Sequence, residues 1–268
     1  MINFELLRRN ESSRRAFLAT MAAAGLGMAA SRLFAIPGNG SKPPVTEADT
    51  RVARPSDFTG IPGRNINEQV LNFALTLEIL EADIYRQALN YASGLPLRRS
   101  LSSNPRAYAR NVEAGKGLTS RAANVGFVYL RDFTYVEAAH RDFLIAAIQA
   151  GGGTPVTANP AGYKFPALPK ARMSDILAAI LPLEETGVRA YLGAVRSLVD
   201  PGLVQTAGTI YSTEARHSGV LQYILGRDPG PARLGGDRSV VPKPPAENTF
   251  EYYQEPQQVI TAARAYFN

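Results

Sequence analysis

The chain of 268 residues contains no cysteine and only two histidines. The absence of cysteine excludes disulfides, thiolate metal sites and cysteine nucleophiles. Any bound metal must therefore be held by oxygen and nitrogen ligands. Charged residues make up 19% of the chain and hydrophobic residues 45%, which is typical of a globular protein with a core of its own.

Positive charge is in excess, but the excess is too small to indicate nucleic-acid binding. The formal net charge is +6, and residues 1–35 alone carry five arginines against two glutamates. Half of the excess therefore lies at the N-terminus, and the remainder lacks a basic stripe interleaved with aromatic residues. We expect no nucleic-acid partner.

The N-terminal segment has the pattern of an export signal. Arg14-Arg15 is followed by Phe17-Leu18 and by a short, weakly apolar run rich in alanine and glycine. This pattern resembles the twin-arginine signal, which directs folded proteins to the twin-arginine export machinery. The run is too short to span a bilayer, so we expect no stable membrane span. The prediction is a signal peptide over residues 1–35, a linker over 36–64, and an exported protein, either periplasmic or extracellular.

Four later segments have helical periodicity, and none shows a strand pattern. A turn at residues 200–202 joins the last two helices, whereas four prolines in residues 151–172 predict a long crossover between the second and third. Ser174 is the expected N-cap of the third helix. The fold class is therefore predicted to be all-α, a four-helix bundle over residues 65–226. An irregular extension rich in proline and glycine (227–268) should pack on the bundle and end in a short helix (257–267). The predicted bundle helices are residues 67–92, 119–150, 174–198 and 203–225.

Each predicted helix carries a glutamate where the helical period calls for a core residue. In the second and fourth helices a histidine follows three residues later, on the same face, and these are the two histidines of the chain. A buried, unpaired carboxylate is very unfavourable, so such groups are protonated, ion-paired or bound to metal. Few lysines or arginines share these inner stripes. The predicted metal ligands are Glu78, Glu137, His140, Glu184, Glu214 and His217.

The charge of this ligand set favours two divalent cations, because four carboxylates and two neutral imidazoles would then form a neutral site. Oxygen-rich ligands with one imidazole per metal suit iron or manganese better than zinc. We therefore predict two iron or two manganese ions. Glu81, one turn after Glu78, and Glu185, beside Glu184, are the less favoured alternatives for ligands.

The two helical hairpins also read as copies of one unit. Leu77-Glu78 precedes Tyr85 at the spacing at which Leu183-Glu184 precedes Tyr191. The repeat predicts a pseudo-two-fold axis through the site. Tyr85 and Tyr191 could donate hydrogen bonds to carboxylates of a neighbouring helix and so fix their orientation, although aromatic core packing explains them equally well.

The segments 71–85 and 183–194 resemble the ferritin-like domain family, which includes plant desiccation-related proteins and many exported bacterial proteins. The resemblance covers about residues 65–226 and implies a ferritin-like bundle with a carboxylate-bridged di-iron or di-manganese centre. It leaves the reaction open, since the fold hosts ferroxidases, catalases, peroxidases and oxygenases. Gly187 stands where the rubrerythrin pattern has a second glutamate in the third helix, so a rubrerythrin-like peroxidase is less expected.

The expected function is redox chemistry on oxygen or peroxide by an exported di-metal protein. The alternative is a non-catalytic protein that protects against stress or desiccation and keeps the bundle for stability. Because none of the six ligands is lost, the first reading is preferred. Iron storage in a hollow shell is disfavoured, since the loop 93–118, the crossover and the tail would have to fit around a cage. A homo-oligomer is compatible with the sequence.

Overall fold

The computed structural model describes residues 55–160, 162–165, 171–229, 251 and 253–266. Within these ranges the chain is helical and contains no strand, which confirms the all-α fold with its long crossover. The signal peptide predicted for residues 1–35 lies outside the described residues, as do most of the linker and residues 230–250. No helix in the described part is long and apolar enough to cross a membrane. The α-helices are α1 (Ile66–Ala92), α2 (Ser120–Ala150), α3 (Met173–Ala194), α4 (Pro201–Ile224) and α5 (Pro256–Ala263).

Polar side chains mark the starts of three bundle helices. Asn65 accepts a hydrogen bond from the backbone N–H of Glu68 at the start of α1, and Thr119 caps α2 in the same way. Asp200 caps α4, where Pro201 occupies the first turn and needs no N–H partner. Each such cap satisfies an otherwise unpaired N–H and stabilises the helix by about 1 kcal/mol.

The third helix differs from the prediction at both ends. Ser174 is not its N-cap, because α3 begins one residue earlier with Arg172 as the cap. The backbone N–H groups of Met173 and Ser174 donate to carbonyls of Glu113 and Ala114, so the loop before α2 satisfies the first turn of α3. At the other end α3 stops at Ala194, and a 3₁₀ turn follows over Val195–Ser197.

The bundle is made of two hairpins, because α1 packs mainly on α2 and α3 mainly on α4. The crossover between them runs back along α1 and is attached there by Asn72, which is fully buried. Its side-chain amide donates to the carbonyl of Thr154, and its side-chain oxygen accepts from the N–H of Val156. This attachment satisfies the polar backbone of a segment that cannot be helical.

The described part of the C-terminal extension packs against α3. The side chain of Val259 in α5 is fully buried. The N–H of Gln254 donates to the carbonyl of Arg189, and a Cβ on Gly193 would overlap the carbonyl oxygen of Gln254. Glycine at position 193 therefore lets the extension lie directly on the helix.

Candidate metal centre

The six predicted ligands lie together in the interior of the bundle, with one glutamate from each of the four long helices. All four glutamates are fully buried, and His217 is nearly so. Their side chains form two groups in which one ligand atom from each residue lies within 4.8 Å of the others. The first group is Glu78, Glu137, His140 and Glu214, and the second is Glu137, Glu184, Glu214 and His217.

Glu137 and Glu214 belong to both groups, so these two carboxylates lie between two potential ion positions. Both come from the helices that carry a histidine three residues later, where a turn of helix places the two side chains on one face. Nδ1 of His140 lies 3.1 Å from Oε2 of Glu137 and 3.1 Å from Oε1 of Glu214. Nδ1 of His217 lies 2.8 Å from Oε1 of Glu137. Each histidine therefore faces a carboxylate shared by both groups.

Several of these buried atoms have no hydrogen-bond partner. Although His217 and Glu137 are close enough for an ion pair, Nδ1 of His217 and Oε1 of Glu137 lack the angles of a hydrogen bond. Leaving buried carboxylate oxygens without a donor is costly, and native proteins rarely do so. A cation among these oxygens would satisfy them, so the residues fit a metal centre. The other unpartnered ligand oxygens are Oε2 of Glu78, Oε2 of Glu184 and both carboxylate oxygens of Glu214.

Two tyrosines hold the outer oxygens of two glutamates. The hydroxyl of Tyr85 donates to Oε1 of Glu184, and the hydroxyl of Tyr191 donates to Oε1 of Glu78 at 2.6 Å. One bond runs from α1 to α3 and the other from α3 to α1, as we expect for two hairpins related by a pseudo-two-fold axis. The remaining oxygen of each glutamate, Oε2, is left free towards the site. The tyrosines thus orient two carboxylates so that one oxygen of each is available for a cation.

The carboxylates and histidines also shift one another's pKa values. Burial and the charges of Glu137 and Glu184 raise the pKa of Glu214 well above its usual range. For Glu137 burial acts in the opposite direction to the two histidines, which prevail and lower its pKa to about 2. Burial disfavours charge on His217, but the charge of Glu184 and a contact with Glu137 raise its pKa to about 10. The pKa of His140 is raised as well, despite burial, chiefly by the charge of Glu78. Without metal, protonated histidines therefore act as the counterions of the carboxylates.

Glu81, the less favoured alternative to Glu78, is a fifth buried carboxylate beside the site. It is 3% exposed, and its Oε2 has no hydrogen-bond partner. A Cβ on Gly187 would lie 3.2 Å from Oε1 of Glu81 and 3.2 Å from Oε2 of Glu214. The missing side chain at Gly187 thus makes room for a glutamate from the opposite helix. Burial, together with the charges of Glu214 and Glu78, raises the pKa of Glu81 well above its usual range, which favours its neutral form.

Glu185, the other alternative ligand, lies in a separate polar network. Its carboxylate accepts hydrogen bonds from Arg189 at 2.8 Å, from the hydroxyl of Ser218 and from the amide of Gln222 at 3.0 Å. These contacts join α3 to α4, and Glu185 belongs to neither group of potential ligands. Adjacent residues on a helix point about 100° apart, which separates Glu185 from Glu184.

The two halves of the site differ around their histidines. The ring of Phe133 stacks on His217 with 3.8 Å between centroids. By the repeat, the position equivalent to Phe133 is Ile210, which offers His140 no aromatic ring. The side chain of His140 is also the more exposed of the two, at 14% against 4% for His217. The half of the site with His140 is therefore the more open.

Comparison with protein families gives a match to the family described as "Ferritin-like domain" over residues 67–227. The matched segment is more than half of the chain, and it runs from the second residue of α1 past the end of α4, with all six predicted ligands. No curated protein matches the chain.

Proposed function

The chain belongs to the ferritin-like domain family, and we propose that its bundle binds two iron or two manganese ions in a carboxylate-bridged centre that performs redox chemistry on oxygen or peroxide. The observation that carries this proposal is the pair of interlocking ligand groups that share Glu137 and Glu214. Two cations that share two carboxylates are held close together, as a two-metal reaction requires.

Each ion would have its own histidine and its own terminal glutamate. His140 and Glu78 would hold one ion, and His217 and Glu184 the other. Four carboxylates would balance the charge of two divalent ions; a fifth carboxyl, Glu81, lies nearby, and in the metal-free protein burial raises its pKa. Oxygen donors with one imidazole per ion suit iron and manganese. When bound, such ions would supply electrons to the oxidant by changing oxidation state.

The residues of the chain position the ligands and exclude water. Tyr85 and Tyr191 fix two glutamates by hydrogen bonds, and the four long helices surround the site with apolar side chains. The two histidines hold protons while metal is absent, and each would have to release its Nδ1 proton before that nitrogen could hold a cation. Ligands oriented in advance by these bonds would bind ions with little rearrangement.

The alternative, a non-catalytic protective protein, has a weaker physical basis. Five buried glutamates are a poor way to stabilise a bundle, because burying charge costs more than apolar packing at the same positions. A bundle kept only for stability would gain by losing the carboxylates. The presence of the full set, with its unpartnered oxygens, supports a role for metal.

Export is part of the proposal. The pair Arg14-Arg15 with the apolar run after it supports transport in the folded state, which would let the centre be loaded before export. Replacing both arginines with lysine should retain the protein in the cytoplasm. Cell fractionation with an antibody decides this, and unchanged export of the double variant would reject the twin-arginine route.

Metal analysis of the purified, exported protein is the direct test of the centre. We expect about two iron or manganese ions per chain. The iron-loaded protein should consume oxygen, or the manganese-loaded protein should remove peroxide. Glu137→Gln should lose metal and activity, whereas Glu113→Gln, at an exposed position, should lose neither. If two ions bind but neither oxidant is consumed, the redox role is rejected and the protective alternative is preferred.

A further inference from the structure

An apolar cavity, partly open to the surface, lies within the bundle near the candidate metal centre. The volume of the cavity is about 20 Å³, counted as the space that the centre of a water molecule can reach. All four long helices line it. Leu77, in its wall, directly precedes the ligand Glu78, and Leu144 lies one turn after His140. Tyr191, also in the wall, donates its hydroxyl to Glu78. None of the six ligands lines the cavity, but Tyr191 connects it to the half of the site that contains Glu78 and His140.

The internal repeat explains why there is room at this place. With the two hairpins aligned on their glutamates, four wall residues near the ligands are smaller than their counterparts at the opposite end of the bundle. All four counterparts are buried in the core. The pairs, with the wall residue first, are Ala74 and Ile180, Ala190 and Ile84, Ala207 and Leu130, and Ile210 and Phe133.

At two other wall positions the size difference is reversed. Leu198, in the cavity wall, is matched by Ala92, and Phe73 is matched by Ala179. The three alanines thus open space one to two helical turns from the metal ligands, and the larger Phe73 and Leu198 form part of its boundary. Interiors are normally packed with few voids as large as a water molecule, so a space placed here by three alanines requires an occupant or a cost in stability.

The side chains of the wall offer a polar occupant no free hydrogen-bond donor, and only two hydroxyl oxygens as acceptors. Both hydroxyls already donate: Tyr191 to Glu78 at 2.6 Å, and Thr206 to the carbonyl of Gly202 at 2.9 Å. A buried water needs two to four polar partners, roughly, whereas dry apolar cavities bind small apolar molecules and noble gases. Water and hydrogen peroxide are therefore poor occupants, and the size excludes an organic substrate.

We propose that this cavity binds dioxygen and delivers it to the half of the centre that contains Glu78 and His140. The proposal rests on the proposed redox function and deepens it, because it selects dioxygen over peroxide as the oxidant that uses this path. An apolar diatomic molecule gains contacts with the wall and needs no hydrogen bond.

A wider groove marks the side from which dioxygen would come. Its volume is about 220 Å³, and it lies between α1 and the C-terminal helix α5. Phe73 and Leu77 line both the groove and the inner cavity, so these two side chains separate the spaces. The C-terminal extension thus forms one wall of the approach to the site.

Xenon binding tests the cavity without any metal or turnover. Metal-free full-length protein should bind one xenon atom, seen in a crystal under xenon pressure or as a shift of the xenon resonance in solution. Ala74→Ile and Ala207→Leu, which copy the larger residues of the other hairpin, should abolish this binding. Ala146→Ile, at an exposed position on α2, is the matched control and should leave it intact.

A kinetic experiment measures the rate of oxidation by dioxygen in the same variants loaded with iron. Filling the cavity should slow oxidation by dioxygen by about tenfold while leaving metal content and the reaction with hydrogen peroxide unchanged. Two filling variants are used so that one failure to fold does not decide the matter. Absence of xenon from the wild-type cavity, or an unchanged oxygen rate in a folded variant that excludes xenon, overturns the proposal. A wild-type protein that binds xenon but reacts with no oxidant rejects the redox function instead.

Discussion

Tyr191 on α3 donates a hydrogen bond of 2.6 Å to Oε1 of Glu78 on α1, and both side chains are buried. The bond leaves Oε2 of Glu78 without a hydrogen-bond partner, 3.5 Å from Nδ1 of His140. Tyr191 thus determines which carboxylate oxygen of Glu78 is available to a cation. Tyr85 and Glu184 repeat the arrangement across the pseudo-two-fold axis.

Tyr191→Phe should weaken metal binding while the bundle stays folded. Without the hydroxyl, Glu78 can rotate, and loss of such a supporting hydrogen bond lowers metal affinity by about 10-fold to 100-fold. Competition with a chelator of known affinity measures the effect. Tyr223→Phe removes the same hydroxyl from a side chain that is 76% exposed and should change nothing. Equal affinities of the two variants would contradict the orienting role of Tyr191.

Glu184→Gln and Glu137→Gln should differ in metal stoichiometry. Glu184 belongs to one ligand group, so its loss should leave about one ion per chain. Glu137 belongs to both groups, so its loss should weaken the binding of both ions. Metal analysis after gel filtration distinguishes the two outcomes. If both variants retain the same number of ions, Glu137 is not shared between them.

The metal-free protein should lose stability as the pH rises above neutrality. The pKa of His217 is raised from 6.5 to about 10 in the folded state, so its contribution is fully present below pH 6.5 and is lost as the pH rises through about 10. The raised pKa values of Glu78 and Glu214 act in the same direction.

Thermal unfolding followed by circular dichroism between pH 6 and pH 10 measures this loss. Metal-loaded protein should show a flatter profile, because the cations then replace the protons as counterions. The contribution of Glu137 to stability changes with pH in the opposite direction. Its pKa is lowered to about 2, so this contribution is present above pH 4.5 and is lost as the pH falls through about 2. A midpoint of the metal-free protein that stays constant from pH 6 to pH 10 would contradict the assigned protonation of the histidines.

Gly187→Ala should lower metal affinity although alanine is the better helix former. The new Cβ would press on Glu81 and Glu214, each with an oxygen 3.2 Å away, and these carboxylates would have to move. Gly208→Ala on α4 is the matched control, since a Cβ there meets nothing within 4 Å. It should stabilise the fold by about 0.5–1 kcal/mol without affecting metal. Denaturant unfolding and chelator competition on both variants separate the two effects.

Local sequence determined much of this protein. Helical periodicity predicted the four long helices and placed one glutamate of each on an inner stripe. The spacing of three residues put His140 beside Glu137 on one face, because i and i+3 positions of a helix are neighbours whatever surrounds them. The repeat of leucine, glutamate and tyrosine predicted the pairing of the hairpins. These features depend on distances along a single helix.

Only the tertiary structure decided the relations between helices. It brought Glu137 and Glu214 into both ligand groups, placed Glu81 opposite Gly187, and left a cavity beside Ala74. It also moved the start of α3 ahead of Ser174, because carbonyls of a distant loop satisfy its first N–H groups. Separations between atoms on different helices depend on the rotation and offset of each helix, which the packing of the whole core determines. Residue spacing fixes the face on which a side chain lies, but the atom that it meets across the bundle is set by that packing.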